Sequence, residues 1–194
     1  MLVNVRSFNL FFSKLFLILL FTSFSFNLSA NQKDQINGSL AYGFVFDVCG
    51  LEIDPTTGKT KIDRYITGHD AGKILNPLLA NGQIYGAFAH GVGAALYEEF
   101  KYNEDGSFLS GSFTDYLLPS TCEIIKPTII HIETPSPFTP LGAKGLGEGN
   151  CMSTPVAIAN AASDALGIEN ITLPLTHSKI YTLSLIHISE PTRP

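Results

Sequence analysis

Gly142-Ala-Lys-Gly-Leu-Gly-Glu-Gly149 puts four glycines into eight residues, shortly before a segment, 154–166, that reads as a helix. Such a run admits positive φ and lets a ligand or another stretch of backbone come close, so the fold has to hold this loop against something. Thr154 fits an N-cap with Pro155 at the first helical position, and Gly167 fits the stop. A glycine-rich loop entering a helix N-terminus is a ready anion site. Neither nucleotide pattern is met, however: no Gly-Lys-Ser/Thr closes the loop, and no GxGxxG sits in a βαβ unit.

Within this loop Glu148 stands between Gly147 and Gly149, with Lys144 four residues earlier. Lacking bulky neighbours, its carboxylate can be presented at the bottom of a pocket, where poor hydration raises a carboxyl toward the range of a general base. The same pattern suits a solvent-facing or capping glutamate, and the residues alone leave both readings open.

A second glycine pattern lies upstream. Asn76-Pro77 opens a segment, 78–100, that reads as a long helix, and Gly82, Gly86, Ala89 and Gly93 fall on one face of it at steps of 4, 3 and 4. Each glycine in a helix interior costs about 1 kcal/mol against alanine, so the stripe needs a reason. Tight packing against a strand or another helix is the reading that spacing favours; close approach of a bulky ligand is the other. Gln83 borders the smooth face near its N-terminal end.

Residues 42–53 and 59–67 are rich in aromatic and β-branched side chains, and Asp54-Pro-Thr-Thr-Gly58 between them predicts a β-hairpin ended by His69-Asp70-Ala71-Gly72. Segments 100–102 and 107–118, around Asn103-Glu-Asp-Gly106, predict a second hairpin. Residues 128–133 predict another short strand, and Pro135, Pro137 and Pro140 an extended connection. The fold class is therefore α+β: mixed sheets and hairpins with two principal helices.

The chain is uneven along its length. Residues 1–30 hold 7 of the 14 phenylalanines, no glycine or proline, and only Arg6 and Lys14 as charges. A positive start, an apolar run at 15–21 and Ser29-Ala30 resemble a secretory signal peptide; a leader foreign to the domain behind it and a short spanning helix are the other readings. Residues 183–194 resemble the translation of a transposase adapter used in sequencing libraries, so His187 and Glu190 enter no site argument. The expected organisation is a hydrophobic leader at 1–30, a functional domain at 31–182 and an adapter-like tail at 183–194. Taking Arg6 and Lys14 from the 12 basic residues leaves 10 against 17 acidic, so the body is more acidic than the net −5 of the whole chain. That balance gives no electrostatic footprint for nucleic acid.

Cys49, Cys122 and Cys151 form no CxxC pair, and reduced thiols of a cytoplasm are the default. His69-Asp70 has the look of a metal-binding pair, but no other His/Asp cluster has ligand spacing, so no metal ligands are expected and the pair reads as a loop or supporting element. His90 reads as a partly buried packing histidine. Cys151, without an identifiable base partner, reads as structural.

Several motifs in order carry more than any one of them. Asp70-Ala-Gly-Lys-Ile-Leu-Asn-Pro77, Gly82-Gln-Ile-Tyr-Gly-Ala87, Gly91-Val-Gly93 with Glu98-Glu99, Phe113-Thr-Asp-Tyr116, Gly142-Ala-Lys-Gly-Leu-Gly-Glu148 and Pro155-Val-Ala-Ile-Ala-Asn160 together resemble the C-terminal part of a molybdenum hydroxylase large subunit. This is the molybdopterin-binding subunit of the xanthine dehydrogenase, aldehyde oxidase and carbon monoxide dehydrogenase superfamily, and the resemblance covers nearly all of residues 36–182. It implies that Glu148 is the catalytic base, that Gly147 approaches the cofactor and that Gln83 hydrogen-bonds the molybdopterin. Gly82, Gly86, Lys144 and Gly145 are implied to belong to the same cofactor-binding set. The implied cofactor is molybdenum-molybdopterin in its cytosine dinucleotide form, whose dithiolene holds the metal, with iron–sulfur clusters and FAD on partner subunits. The implied reaction hydroxylates an aldehyde, an N-heterocycle or a similar small substrate, or oxidises carbon monoxide, with water as oxygen source, in a cytoplasmic parent enzyme. Complete large subunits of this family are several times longer, so the isolated chain is expected neither to retain cofactor nor to turn over. The competing reading is a noncatalytic exported or membrane-tethered domain that keeps only the fold.

Overall fold

The computed structural model describes residues 41–189, so the signal-like leader and the end of the tail lie outside the described residues. Strands β1 (Phe44–Ile53) and β2 (Thr60–Asp70) form the first hairpin, antiparallel from Phe44 opposite Asp70 to Ile53 opposite Thr60, with a bulge between Gly50 and Leu51. Asp54 builds the turn by accepting from the Thr56 N–H at 2.9 Å and the Thr57 hydroxyl at 2.7 Å, and Gly58 takes a φ of 70°. Helix α1 (Pro77–Leu96) then crosses over to β3 (Thr128–Ile132), which lies parallel to β2 and makes the sheet order β1-β2-β3. Helices α2 (Gly149–Leu166) and α3 (His177–Ser189) follow.

The core gathers between the hairpin, α1 and α2. Tyr65, Phe88, Val92 and Ile158 are buried there with Leu175 and Ile180 from the C-terminal segment. The Tyr65 and Phe88 rings lie 4.5 Å apart, and the Tyr65 hydroxyl donates to Thr154 Oγ1 at 2.9 Å, so a phenol whose pKa burial pushes up keeps a partner.

Several expectations shift, each for a local reason. Helix α1 starts as expected, with the Asn76 side chain accepting from the Leu79 N–H and Pro77 in the first turn, but ends at Leu96 rather than 100. Tyr97 and Glu98 both donate their N–H to the Gly93 carbonyl, and Glu98 folds back over Gly93 where Tyr116 donates to its carboxylate. The expected second hairpin shrinks to one bridge, Tyr102 with Phe108. Beyond it the Ser110 hydroxyl bonds the Lys101 N–H and the Glu99 carbonyl, taking backbone groups that a ladder needs. The proline segment forms turns rather than an extended connection.

Helix α2 begins at Gly149, not after Thr154, and Pro155 lies inside it. Side chains of its first turns bond the hairpin: Asn150 reaches Thr67, and Thr154 accepts from Tyr65, so tertiary bonds carry the helix past the residue types that mark a start. Gly167 ends it in the left-handed conformation at φ 63°, as expected. Helix α3 is a third helix, beyond the two principal ones expected from the sequence. It runs across position 182 without a break, and buried Ser184 donates to the Pro55 carbonyl at 3.0 Å. Among the described residues no helix is long and apolar enough to cross a membrane.

The glycines of α1 divide into two functions. At Gly91, on the face of α1 opposite the stripe, an added Cβ would lie 2.6 Å from Thr154 Cβ and 2.8 Å from the Asn150 carbonyl oxygen, so α1 and α2 meet there backbone to backbone. Gly91→Ala is expected to destabilise the chain by about 1–3 kcal/mol through overpacking, read as a lower urea midpoint. At Gly82 and Gly86 an added Cβ meets nothing within 4 Å, so packing does not explain those two.

Candidate functional site

The open side of Gly82 and Gly86 is the floor of a cavity of about 530 Å³ between α1 and the start of α2, within the range of small-molecule and cofactor pockets. Helix geometry puts Gln83 beside these glycines, and its Nε2 donates to the Gly147 carbonyl at 3.3 Å, tying α1 to the glycine-rich loop. Gly147 and Glu148 form the facing wall. The residues alone leave open whether Glu148 sits in a water-poor pocket or faces solvent or caps a helix; it is exposed in this chain, at the N-cap position of α2, and makes no capping hydrogen bond. Its side chain lines the cavity instead.

The structure thus brings Glu148, Gln83, Gly82, Gly86 and Gly147 together. It does not bring Lys144 or Gly145 to the cavity lining. The Lys144 ammonium is nearly buried and pairs with Asp70 at 3.0 Å while donating to Thr134 Oγ1 at 2.6 Å. Of the loop glycines only Gly142 takes a positive φ, 73°.

Two residues of the wall were read differently from sequence. His90 is exposed at the cavity rather than packed, and its Nδ1 lies 3.5 Å from Cys151 Sγ, supplying the neighbour that sequence separation hid. Burial, and then the Glu148 charge, push the Cys151 thiol pKa up, so this cysteine is a thiol of the wall and not a thiolate nucleophile. Cys49 is likewise raised, to about 12, by burial and by Asp47. All three cysteines are free. Among the described residues no group of three or more His, Cys, Asp or Glu side chains is arranged to hold a metal ion.

Asp70 is the most strongly engaged carboxylate near the loop. Burial alone would raise its pKa, but hydrogen bonds from Thr134, the Gly72 N–H and Lys144 outweigh it and lower the group from its ordinary 3.8 to about 2. A lowered folded-state pKa stabilises the fold fully above about pH 4, and the stabilisation is lost as pH falls through 2. The contribution is about 2 kcal/mol. Urea unfolding of the wild type and Asp70→Asn should therefore differ at pH 5 by roughly that amount more than at pH 2.

Fold and cavity define a class before any comparison is made: an α+β domain that offers a smooth helical floor, an amide and a free-standing carboxylate to a bulky ligand. The sequence profile of the molybdopterin cofactor-binding domain matches residues 19–125, more than half of the chain, and the chain belongs to that family. The matched region includes Gln83 and the glycine floor. Among curated relatives, the chain is 41% identical over 150 residues to the 6-hydroxypseudooxynicotine dehydrogenase complex subunit gamma of Paenarthrobacter nicotinovorans, covering 76% of this chain and 19% of that one. It is 34% identical over 142 residues to the carbon monoxide dehydrogenase large chain of Afipia carboxidovorans, covering 73% of this chain and 17% of that one. Among solved structures, the fold is similar to a Cu,Mo-CO dehydrogenase, with a TM-score of 0.72 at 31% identity over 74% of this chain and 18% of that one. Quinoline 2-oxidoreductase from Pseudomonas putida 86 gives a TM-score of 0.67 at 35% identity, covering 74% and 18%. The chain spans about a fifth of the length of the curated relatives it matches.

Proposed function

We propose that residues 31–182 form the part of a molybdenum hydroxylase large subunit that walls the molybdopterin cofactor and presents the catalytic base. The observation that carries this reading is the placement of Glu148, an unbonded carboxylate at the head of α2 facing the glycine floor in the same cavity as Gln83. The residues present fit the group: Gly82 and Gly86 leave the helix backbone bare toward the cavity, where a planar ring system can lie against it. Gln83 and Gly147 border it with an amide and a backbone peptide. When bound, the molybdenum cofactor supplies the two-electron acceptor. This chain supplies the proton acceptor: Glu148 takes the proton that water sheds as its oxygen passes to the substrate carbon. Over the whole reaction a C–H substrate and water give the C–OH product, and carbon monoxide and water give carbon dioxide, in either case with two electrons and two protons released.

An aldehyde, an N-heterocycle or carbon monoxide is the substrate in this reading, in line with what the relatives' names say of those proteins. The cytosine dinucleotide form of the cofactor, and iron–sulfur and flavin partner subunits in a cytoplasmic enzyme, complete the proposal. Relatives named as a subunit gamma of a complex and as large chains support the partners, and three free thiols support the compartment. The cavity reading is tested by Gly86→Val in the complete subunit. Valine suits a helix better than glycine, so the melting temperature should not fall. The branched side chain enters the cavity, and the molybdenum content measured by elemental analysis should drop several-fold. Full molybdenum retention would overturn the reading.

A further inference from the structure

The His69-Asp70 dipeptide, which holds no metal site, grips the glycine-rich loop at both ends. Upstream of Glu148, the Asp70 carboxylate is filled by four donors: Lys144 Nζ at 3.0 Å, the Thr134 hydroxyl, and the N–H groups of Gly72 at 2.9 Å and Thr134 at 3.2 Å. The Lys144 N–H adds a bond to the Ala71 carbonyl at 2.8 Å. Downstream, Asn150 is fully buried, and its Nδ2 donates to the Asp47 carboxylate at 3.2 and 3.3 Å and to Thr67 Oγ1 at 3.0 Å. A carboxylate only accepts, so the amide orientation is fixed, Oδ1 faces His69, and His69 Nε2–H must donate to it across 2.7 Å. Gly149 gives the ring its room, because a Cβ there would sit 3.0 Å from His69 Cε1.

Successive side chains of a strand point to opposite faces, so His69 and Asp70 hold the loop astride the end of β2. Residues 145–149 run between the two anchors, with the Gln83–Gly147 bond as a further tie. Glu148 has no capping bond of its own, and its place in the cavity is inherited from theirs. We propose that His69 and Asp70 are positioning residues for Glu148, a clamp that fixes the two ends of segment 144–150 and thereby sets the carboxylate toward the cavity. The proposal rests on the reading of Glu148 as the base.

Amide hydrogen exchange of the full chain reads the clamp without cofactor. In His69→Ala and Asp70→Asn, exchange at Lys144 and Gly149, whose N–H groups bond the Ala71 and Leu146 carbonyls at the two ends of the loop, should rise at least tenfold while β1 and the buried face of α1 keep their protection. In the complete molybdenum-loaded subunit the same variants should lose roughly ten- to a hundredfold in kcat, with KM and molybdenum content unchanged, as misplacement of a reacting group by about 1 Å does. His69→Gln, whose amide can donate to Asn150 Oδ1, should restore both readouts; a merely structural role would predict no such rescue. Unchanged exchange in the loop, or full kcat in both variants beside an inactive Glu148→Gln, overturns the clamp. Should His69→Ala unfold, Asp70→Asn and His69→Gln decide it alone. An active Glu148→Gln sinks the base reading instead, and exchange still reports whether the clamp exists.

Discussion

Glu148→Gln in the complete large subunit should lower kcat by about two to four orders of magnitude, the usual worth of a positioned general base. The amide is isosteric with the carboxyl and replaces a side chain that makes no capping hydrogen bond, so the fold loses nothing it uses. Molybdenum content and melting temperature should therefore match the wild type. A second readout needs no cofactor. The negative charge of Glu148 helps hold the Cys151 thiol up, after burial, so removing it should let that thiol react faster with an alkylating agent at fixed pH. Turnover within twofold of wild type, measured on protein with equal molybdenum, sinks the assignment; unchanged alkylation of Cys151 sinks the geometry that brings the two side chains together.

The parts of this site that were legible in the sequence are those that speak through local chemistry. Asp54 to Gly58 can do little but turn, and Asn76-Pro77 can do little but start a helix, so β1, β2 and the front of α1 follow from their own residues. Glu148 between two glycines is legible for the same reason. What escaped depends on partners far along the chain. Asn150 and Thr154 begin α2 early because Thr67 and Tyr65, more than 80 positions upstream, bond them. His90 changes from packing residue to cavity wall once Cys151, 61 positions away, is set against it. Lys144 is in the cofactor-binding set that the resemblance implies, and the fold pairs its ammonium with Asp70. The glycines of α1 show the limit most clearly: Gly91 packs against α2 while Gly82 and Gly86 on the opposite face leave a bare cavity floor, and only the position of α2 separates the two uses.

Phe88 joins the site to the stability of the fold, and its loss should have the largest effect of any single truncation in the core. The side chain is fully buried on the face of α1 that packs on the hairpin and α2, five residues beyond Gln83 and two beyond Gly86. Its ring meets Tyr65 at 4.5 Å, and Tyr65 in turn donates to Thr154 of α2, so three elements converge on one aromatic contact. Phe88→Ala removes that packing and leaves a cavity that β2 and α2 cannot both close without breaking the Tyr65–Thr154 bond. The expected cost is about 3–5 kcal/mol, a large share of the 5–15 kcal/mol that holds a typical domain. For a chain of this size it should appear as a fall of roughly 6–20 °C in melting temperature. Phe100→Ala serves as the control, because that ring is 66% exposed and its truncation should cost under about 1 kcal/mol. A Phe88→Ala chain as stable as the Phe100→Ala chain would show that α1 does not dock on Tyr65. With that contact gone, the glycine floor would be held opposite Glu148 only by the Gln83–Gly147 bond and the Gly91 contact with α2.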